Sequence, residues 1–439
     1  MSALANLTSR VHDRTARIGV IGLGYVGLAV ACALAEAGFR VTGVELRADR
    51  VEKIRAGDCP IDGIEPGLPD LVKKVVASKH LDATTQYAAL ADVDVVLICV
   101  DTPVARDRRP RFEALRSTCW QLGPVLKEGA LVIVESTVAP GTTMGLVAPQ
   151  LAKHSNKELN KGFFLGHCPE RVMPGRLLKN LRELSRVCGG STPEAAHAMV
   201  ALYRTIVEGE LDETDCITAE LTKTAENTYR DVNIAFANQL GLICEAVGAD
   251  FERVRGFVNK SPGRNVLWAG AGVGGHCIPK DPWLLVHGVP GVDTGLIAAA
   301  RTLNESMPLH VARLVEQALD EVNIGMHSAR LLVLGYSYLE DSDDTRNSPS
   351  QSLIEHLKDW GAEVVVHDPW VPDYAVDLWK RAEGAHAAIV MVAHAEYRDL
   401  DLARLRGCLR APVLVDGRQV VDAAAARAAG FVFRGLGRA

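Results

Sequence analysis

The chain has 439 residues, enough for two or three globular domains. Hydrophobic residues make up 48% and charged residues 23%, which is typical of a globular protein with a sizeable core. The net charge of −6 provides no general attraction to nucleic acids or anionic membranes, so we expect neither as a partner. No apolar run is long enough to span a bilayer, and the N-terminal segment lacks the apolar core of a signal peptide. We therefore expect a cytoplasmic protein.

The ten cysteines are scattered and form no CxxC pair, so we expect neither a metal site nor a disulfide framework. Most of them lie among apolar neighbours and are typical of small buried hydrophobic residues. A reducing compartment fits this usage.

The first part of the chain alternates apolar runs with helical patterns, which predicts a parallel sheet covered on both faces. The predicted strands are Arg17–Ile21, Arg40–Val44, Val95–Val100 and Ala130–Val134, with Gly162–Gly166 and Ser185–Gly189 as further candidates. From about Thr214 to Gly248 the pattern predicts one long helix, buried between domains or between subunits.

A second α/β pattern starts near Met326. Its predicted strands are Leu331–Leu334, Glu363–His367, Ala388–Val392 and Val413–Val415. Ser348 and Pro349 are typical of a helix N-cap followed by proline at the first helical position.

A dinucleotide-binding fingerprint follows the first predicted strand. Gly22, Gly24 and Gly27 have the spacing GxGxxG, open a predicted helix, and precede a second strand that ends at Glu45. The glycines permit a tight turn, close approach of the pyrophosphate, and close packing of helix on strand. Glu45 can accept hydrogen bonds from the adenosine ribose, which favours NAD over NADP. The alternative is a glycine-rich turn without a ligand, but an acid at the expected offset speaks against it.

The most distinctive segment is AGAGVGGHCIPKDPW. Small residues before Cys277 predict a backbone that a bulky ligand approaches closely, and the cation of Lys280 favours the nucleophilic thiolate. A buried structural cysteine is the alternative interpretation, and we adopt it for the other nine. Asp281 follows at short range.

Four further polar residues lie where a site could form. Lys223 and Asn227 share one face of the long helix at spacing i, i+4, although such a pair is usually a solvated surface. Thr137 and Glu170 follow predicted strands, at the edge where open α/β folds bind ligands. An ordinary strand-end loop is the alternative for both.

These segments together resemble the UDP-glucose/GDP-mannose dehydrogenase family. The similarity covers almost the whole chain and runs through GLGYVGL, ESTVAPGTT, CPERVMPG, AELTKTAENTYRDVNIAFANQL, GVGGHCIPKDP and DDTRNSP. It implies an α/β fold with two Rossmann-like, doubly wound domains joined by a long central helix and a helical dimerisation domain. The implied boundaries are 1–212 for NAD binding, 213–324 for the helical domain with Lys223 and Cys277, and 325–439 for UDP-sugar binding. A homodimer is implied as well.

The resemblance also implies a mechanism and the residues that carry it. A sugar C6 alcohol would be oxidised to a carboxylate in two hydride transfers to NAD, through a thiohemiacetal and a thioester on Cys277. Lys223 and Asn227 would stabilise the oxyanion, and Asp281 and Glu170 would handle water and protons. Thr137 would hold the catalytic water.

Further contacts follow from the same motifs. Those to the cofactor would come from Gly22, Gly24, Tyr25, Val26, Gly27, Glu45, Thr102 and Thr137. Those to the substrate would come from Glu170, Arg171, Lys223, Asn227, Arg264, Gly274 and Arg346. Arg264 and Arg346 suit bidentate phosphate recognition, although each could be an ordinary surface arginine.

The motifs CPERVMPG and GGHC resemble the branch that acts on UDP-N-acetylhexosamines, either UDP-N-acetylmannosamine or UDP-N-acetylglucosamine. Two positions depart from the family pattern: Leu339 replaces a substrate-contacting lysine, and Asp101 changes a VPTP segment. UDP-glucose 6-dehydrogenase is the nearest alternative. A β-hydroxyacid dehydrogenase would need neither the cysteine nor the second α/β domain. A non-catalytic NAD- or nucleotide-sugar-binding regulator is the alternative of another class, against which Cys277, Lys223 and Asp281 argue.

Overall fold

A computed structural model describes residues 3–438. The chain divides into two compact units. The first runs to Glu226 and includes Trp283–Gly291, whereas the second comprises Asn227–Pro282 and the chain from Val292 onward. Within residues 3–438, no helix is both long and apolar enough to cross a membrane.

The strands, numbered in chain order, are β1 Arg17–Ile21, β2 Arg40–Val44, β3 Leu81–Thr84, β4 Val95–Ile98, β5 Ala130–Val134, β6 Phe163–His167, β7 Arg186–Gly190, β8 Leu211–Asp215, β9 Arg330–Leu334, β10 Glu363–His367, β11 Ala387–Val390, β12 Val413–Asp416 and β13 Val432–Gly435.

The α-helices are α1 Ala3–His12, α2 Tyr25–Glu36, α3 Ala48–Ala56, α4 Leu68–Ala77, α5 Glu113–Leu122, α6 Ala148–Ser155, α7 Leu177–Glu183, α8 Pro193–Tyr203, α9 Cys216–Val247, α10 Phe251–Val258, α11 Asp281–Val286, α12 Gly295–Glu321, α13 Pro349–Asp359, α14 Leu378–Ala382, α15 Ala395–Arg398, α16 Leu402–Cys408 and α17 Ala423–Ala428.

The first unit contains an eight-stranded sheet in the order β3-β2-β1-β4-β5-β6-β7-β8. Its first six strands have the arrangement of a dinucleotide-binding fold, in which strand order reverses between β1 and β4. The strands are apolar on both faces because helices cover both, and α2 is buried over most of its length. This places the carboxyl ends of β1, β2, β4 and β5 at one edge.

One strand pair of this sheet is antiparallel. Gly166 of β6 faces Gly190 of β7, and His167 faces Gly189. Just beyond β6, the sulfur of Cys168 lies 3.9 Å from that of Cys188. The sequence pattern predicts a parallel sheet with these two segments as further candidate strands, and it reveals which segments are extended but not their direction.

The second unit contains a five-stranded parallel sheet in the order β10-β9-β11-β12-β13, which reverses between β9 and β11. This is the other common doubly wound order. Asp368, directly after β10, accepts hydrogen bonds from the backbone N–H groups of Tyr336 and Ser337 at 2.6 and 2.9 Å. A buried carboxylate thus holds the loop that follows β9.

A buried polar network joins α9 to α12 in the second unit. Arg301 pairs with Asp231 at 2.5 Å, and the amide of Asn304 donates to the same carboxylate at 2.8 Å. Asn238 donates to Asn304 and accepts from the N–H of Gly270, both within 3 Å. The network therefore extends from the two helices to the start of the glycine-rich segment before Cys277.

The structure confirms the fold class, and the predicted elements agree with it to within about two residues. The long helix begins at Cys216, because Thr214 and Asp215 belong to β8. The predicted strand Val95–Val100 ends at Ile98. Strands β3, β8 and β13 have no prediction, since their short sequences are mixed in polarity.

Candidate active site

The turn after β1 is built for close approach of a ligand. A Cβ on Gly22 would lie 2.6 Å from the carbonyl oxygen of Cys99, and one on Gly27 would lie 1.9 Å from that of Gly22. Gly22 also has a φ of +88°, which favours glycine. No atom lies within 4 Å of a Cβ at Gly24, so this residue faces open space at the start of α2. Tyr25 and Val26 begin that helix, whose N-terminus favours a pyrophosphate.

Glu45 lies directly after β2 and is buried. Its carboxylate accepts from the N–H groups of Leu23, at 3.1 Å, and Arg47, at 3.0 Å. The side chain of Arg47 pairs with Asp49 at 2.6 Å. These bonds fix a carboxylate next to the glycine turn, and an anion there suits a ribose diol better than a 2′-phosphate. Together with the open side of Gly24, this arrangement fits NAD.

Thr102 and Thr137 follow neighbouring strands. The Thr102 hydroxyl donates to the carbonyl of Thr137 at 2.6 Å, which joins the loops after β4 and β5. Glu220 of α9 accepts from the N–H groups of Gly141, at 2.5 Å, and Thr143, at 2.7 Å. The helix therefore holds the loop that continues from Thr137, a contact that no local sequence pattern indicates.

Glu170 and Arg171 follow β6 in the same unit. Glu170 is buried, and its carboxylate accepts from the N–H of Val172. Arg171 pairs with Glu226 at 3.0 Å and donates to the carbonyl and hydroxyl of Ser185 at 2.9 and 2.7 Å. The side chain of Arg171 is thus held by Glu226 and Ser185, both of which belong to the first unit.

A second buried carboxylate, that of Glu135, lies close enough to Glu170 to respond to its charge. Burial raises the pKa of Glu135, and the charge of Glu170 adds to the rise, whereas Arg186 and the hydroxyl of Tyr203 oppose it. Arg186 contacts Glu135 at 3.2 Å, and Tyr203 donates to it at 2.6 Å. The sequence does not reveal this cluster, because its members lie on separate strands and helices.

Lys223 lies on α9 and is buried. Among residues 3–438, no carboxylate forms an ion pair with its ammonium group. A buried cation without a counter-ion is costly unless an anion binds. Lys223 therefore suits stabilisation of a developing negative charge.

The second unit brings Asn227 and Asp281 together. The side-chain amide of Asn227 donates to the fully buried Asp281 carboxylate at 2.5 Å. Lys280 lies 3.7 Å from the other oxygen of that carboxylate. The carbonyl of Cys277 accepts from the N–H groups of Lys280 and Asp281 at 3.0 and 2.8 Å. Cys277 is half-buried and begins the turn that leads into α11.

The glycines before Cys277 pack against the loop after β9. A Cβ on Gly274 would lie 2.5 Å from the Cβ of Tyr338, and one on Gly275 would lie 2.8 Å from its ring. The N–H of Gly275 donates to the carbonyl of Arg346 at 2.9 Å, and Asn347 donates to the Gly275 carbonyl at 3.0 Å. This explains the small residues: protein backbone and Tyr338 occupy the space. Asn347 lies within the DDTRNSP motif and Tyr338 lies shortly before it, but their contact with Gly275 is not apparent from the sequence.

The two arginines proposed for phosphate contact differ. Arg346 belongs to the loop that holds Gly275, and its guanidinium pairs with Asp344 at 2.5 Å. Arg264 lies on an exposed turn after α10, and its side chain donates to the carbonyl of Pro262 at 2.9 Å. The structure places Arg346, but not Arg264, on the loop against the Cys277 segment.

Leu339 is partly exposed, and its neighbour Glu340 interacts with two arginines. Arg398 pairs with the neighbouring Glu340 at 2.8 Å. Arg418 donates to the carbonyl of Met391 at 2.8 Å and to that of Gly272 at 3.4 Å, and burial lowers its pKa to about 10. Arg418 was missed in the sequence, although its position shortly after β12 was an available signal.

Comparison with known proteins identifies the family. Sequence models of the UDP-glucose/GDP-mannose dehydrogenase family match residues 16–207 with its NAD-binding domain, 217–306 with its central domain, and 332–423 with its UDP-binding domain.

Several relatives resemble the chain over nearly its full length. The UDP-N-acetyl-D-mannosamine dehydrogenase of Pyrococcus horikoshii is 38% identical over 96% of this chain and 99% of its own, and its solved structure superposes with a TM-score of 0.90. The NDP-N-acetyl-D-galactosaminuronic acid dehydrogenase of Methanosarcina mazei is 36% identical, with coverage of 100% and 98% and a TM-score of 0.87. A UDP-glucose dehydrogenase of Pyrobaculum islandicum is 30% identical, with coverage of 97% and 98% and a TM-score of 0.85.

These matches extend over both units and include the fingerprint turn and the Cys277 segment. The protein is an NAD-dependent nucleotide-sugar dehydrogenase. The chain belongs to the UDP-glucose/GDP-mannose dehydrogenase family.

Proposed function

We propose that this enzyme oxidises the C6 alcohol of UDP-N-acetylmannosamine to a carboxylate. The observation that carries the proposal is 38% identity, over 96% of the chain, to an enzyme that bears this substrate in its name. The CPERVMPG and GGHC motifs favour the same N-acetylhexosamine branch. UDP-N-acetylglucosamine has the same reacting carbon and differs only in the orientation of the acetamido group.

Bound NAD supplies the hydride acceptor for both oxidation steps. Gly22, Gly24 and Gly27 would admit its pyrophosphate at the start of α2, and Glu45 would accept from its adenosine ribose. Tyr25, Val26 and Thr102 flank this turn and the neighbouring strand end, where we propose further contacts.

Cys277 supplies the nucleophile. Once the alcohol has become an aldehyde, the thiolate adds to its carbonyl carbon and forms a thiohemiacetal. Loss of a second hydride converts this adduct into a thioester, which water cleaves to release the carboxylate and the thiol. The overall reaction consumes one water and two NAD⁺, and releases two NADH and three protons.

Charge develops on the substrate oxygen in each addition step. We assign its stabilisation to the buried ammonium of Lys223 and the amide of Asn227, which is oriented by Asp281 at 2.5 Å. Asp281 thereby sets the direction of the amide and can take up a proton from water.

The hydrolytic step needs an oriented water. Glu170 is proposed to act on the proton of this water, and the hydroxyl of Thr137 to hold it. Arg171, Gly274 and Arg346 are proposed on the substrate side, with Arg346 best placed because its loop holds the Cys277 segment. Arg264 remains a weaker candidate, supported only by its charge.

Assembly and location are proposals of the same kind. A homodimer is supported by apolar side chains exposed along α9, of which Tyr229, Phe236 and Ile243 recur every seven residues. The division into domains 1–212, 213–324 and 325–439 is supported by the three matched segments. A cytoplasmic location is supported by composition and cysteine usage.

The test is to incubate the purified protein with NAD and, separately, UDP-N-acetylmannosamine, UDP-N-acetylglucosamine, UDP-N-acetylgalactosamine, UDP-glucose and GDP-mannose. We expect two NADH per UDP-N-acetylmannosamine consumed, and little from the other four. Turnover of UDP-glucose alone would refute the substrate but keep the mechanism. One NADH per sugar would exclude the thioester route. NAD binding without turnover of any sugar nucleotide would favour a non-catalytic regulator.

A further inference from the structure

Glu65 lies in the loop before α4 and is buried, unlike its neighbour Ile64. One carboxylate oxygen accepts from the hydroxyl of Tyr25 and from the N–H of Gly175, the latter at 2.8 Å. The other oxygen accepts from the N–H of Leu177 at 3.2 Å. Three donors from two distant parts of the first unit thus converge on one side chain.

These donors require a carboxylate. An ionised carboxylate only accepts hydrogen bonds, and its two oxygens can accept from all three donors. A glutamine of the same shape would place an NH₂ group against at least one N–H, which would leave a buried donor without an acceptor. The position therefore distinguishes glutamate from glutamine on hydrogen-bonding grounds alone.

The first of the linked segments is the fingerprint turn. Tyr25 is the first residue of α2, directly after Gly24, whose open side fits a pyrophosphate. The hydroxyl of Tyr25 therefore connects Glu65 to the part of the first unit that is proposed to hold the cofactor.

The second segment is the loop between β6 and α7. Gly175 and Leu177 end the stretch that begins with Glu170 and Arg171. The N–H of Arg176 donates to the carbonyl of Met173 at 3.2 Å, and the N–H of Met173 donates to Asn180 of α7 at 3.1 Å. The Glu170 carboxylate accepts from the N–H of Val172 in the same stretch. These bonds connect the residues of the stretch to one another. The hydrogen bonds from Gly175 and Leu177 to Glu65 therefore also influence the position of Glu170.

We propose that Glu65 is a positioning residue that couples the cofactor turn at Tyr25 to the loop carrying Glu170. When the dinucleotide orders the turn at Tyr25, the Glu170 loop becomes ordered as well. Ordering of the Glu170 loop in turn orders the turn at Tyr25. The proposal rests on the proposed function only for the identity of the sugar nucleotide, since its hydrogen bonds lie within the first unit.

The test compares the full-length wild type with Glu65→Gln, Tyr25→Phe and the double variant. Glu52→Gln is the matched control, because Glu52 is exposed on α3. The dissociation constant of NADH is measured by fluorescence with and without UDP-N-acetylmannosamine, a pair that cannot turn over. We expect UDP-N-acetylmannosamine to lower the dissociation constant of NADH in wild type and control. In Glu65→Gln, the ratio of the two dissociation constants should be about tenfold smaller. Tyr25→Phe should lose part of the effect and add little to Glu65→Gln.

A purely structural role would lower the thermal unfolding midpoint of Glu65→Gln but leave the ratio of the two dissociation constants unchanged, and this result would overturn the proposal. If the losses of coupling in Glu65→Gln and Tyr25→Phe added up in the double variant, this result would also overturn the proposal.

A second measurement does not need the sugar nucleotide. Arg176 is exposed, so trypsin can cleave after it. NADH alone should slow this cleavage in wild type and Glu52→Gln but not in Glu65→Gln. Equal protection in all of them would refute the coupling. Protection lost in Glu65→Gln, with no binding of UDP-N-acetylmannosamine to wild type, would keep the coupling and reject the proposed substrate.

Discussion

The reactivity that we propose for Cys277 would depend on a few neighbouring side chains. Cys277 is half-buried, its backbone carbonyl accepts two hydrogen bonds in the turn into α11, and Asp281 is fully buried against Asn227. Lys223 adds a buried cation without a carboxylate partner among residues 3–438. The proposed chemistry requires a nucleophile, an amide donor and a cation, and we assign these roles to Cys277, Asn227 and Lys223.

Replacement of the nucleophile tests the covalent step. Cys277→Ser should lower carboxylate formation by at least about 10³-fold, because a serine hydroxyl is a far weaker nucleophile without a base to activate it. Cys408→Ser, at the other half-buried cysteine of the second unit, should retain activity. The measurement is carboxylate product by mass spectrometry, together with NADH. Substantial product from Cys277→Ser would contradict the thioester route.

From the hydrogen bond between Asn227 and Asp281 we predict how kcat of an Asn227→Asp variant depends on pH. Asn227→Asp places a second carboxylate at the distance of the present hydrogen bond, 2.5 Å from Asp281. Like charges raise the pKa of such a pair, so one proton is retained at low pH and restores the hydrogen bond. We expect kcat to fall about 10²-fold near pH 8, and the deficit to shrink as pH falls.

The measurement is kcat of Asn227→Asp relative to wild type between pH 6 and 9. Asn233→Asp, on the same helix, serves as the control for added charge. A kcat ratio independent of pH would show that Asp281 does not act through Asn227.

At the scale of elements, the glycine-rich segment before Cys277 behaves as one piece with the loop after β9. The N–H of Gly275 donates to the carbonyl of Arg346, and the side chain of Asn347 donates to the carbonyl of Gly275. Tyr338 packs against Gly274 with its Cβ and against Gly275 with its ring. The sequence predicted close approach of a ligand at these glycines. The structure shows that close approach of the protein itself already requires them.

Gly274→Ala should therefore reduce both stability and activity. Its Cβ would meet the Cβ of Tyr338 at 2.5 Å and the carbonyl oxygen of Asn347 at 2.8 Å, neither of which can rotate away. We expect a loss of roughly 1–3 kcal/mol in unfolding free energy and a lower kcat. Gly256→Ala in α10 has open space around its Cβ, and should instead gain about 0.5–1 kcal/mol. Denaturant unfolding and NADH formation measure the two effects, and equal behaviour of the two variants would contradict the packing argument.

From the contacts of Asp368 we predict how acid destabilises the fold around the loop after β9. Burial alone would raise the pKa of Asp368, but hydrogen bonds from His394 and from the N–H groups of Ser337 and Tyr336 lower it to about 2. Since this pKa lies below the ordinary 3.8, the stabilisation is present above pH 4 and is lost as pH falls toward 2. The ionised Asp368 carboxylate contributes about 2 kcal/mol to the free energy of unfolding.

Asp368→Asn should thus be about 2 kcal/mol less stable than wild type at pH 7, with a difference that narrows between pH 4 and pH 2. The measurement is denaturant unfolding followed by circular dichroism at several pH values. Asp373→Asn, at an exposed neighbour, should show no such change. A constant difference down to pH 2 would contradict the assignment.

At the scale of the whole molecule, the long helix α9 leaves a regular apolar stripe exposed. Tyr229, Phe236 and Ile243 are exposed by 72, 58 and 49%, and their spacing of seven places them on one face. A monomer rarely exposes large apolar side chains at regular intervals along one helix face, so we expect a second copy to cover them.

Phe236→Glu should convert the proposed dimer into a monomer, because it buries a charge in an apolar contact. Light scattering after size exclusion should give twice the chain mass for wild type and the single chain mass for the variant. Trp120→Glu removes a similarly exposed aromatic residue on α5 and should remain dimeric. Dissociation of both variants, or of neither, would exclude α9 as the interface.

The sequence by itself determined the features that local chain patterns encode. Apolar runs identified most strands, and the motifs around the glycine turn and Cys277 identified the family. The same motifs predict the cofactor turn at Gly22, Gly24 and Gly27 and the nucleophile at Cys277. Tertiary structure alone decided the antiparallel direction of β7, the contact of Asn347 with Gly275, and the convergence of Tyr25 and Gly175 on Glu65. The physical reason is that these contacts join segments dozens of residues apart. Their energies depend on how sheets and loops close in space, whereas periodicity and turn chemistry act within a few residues.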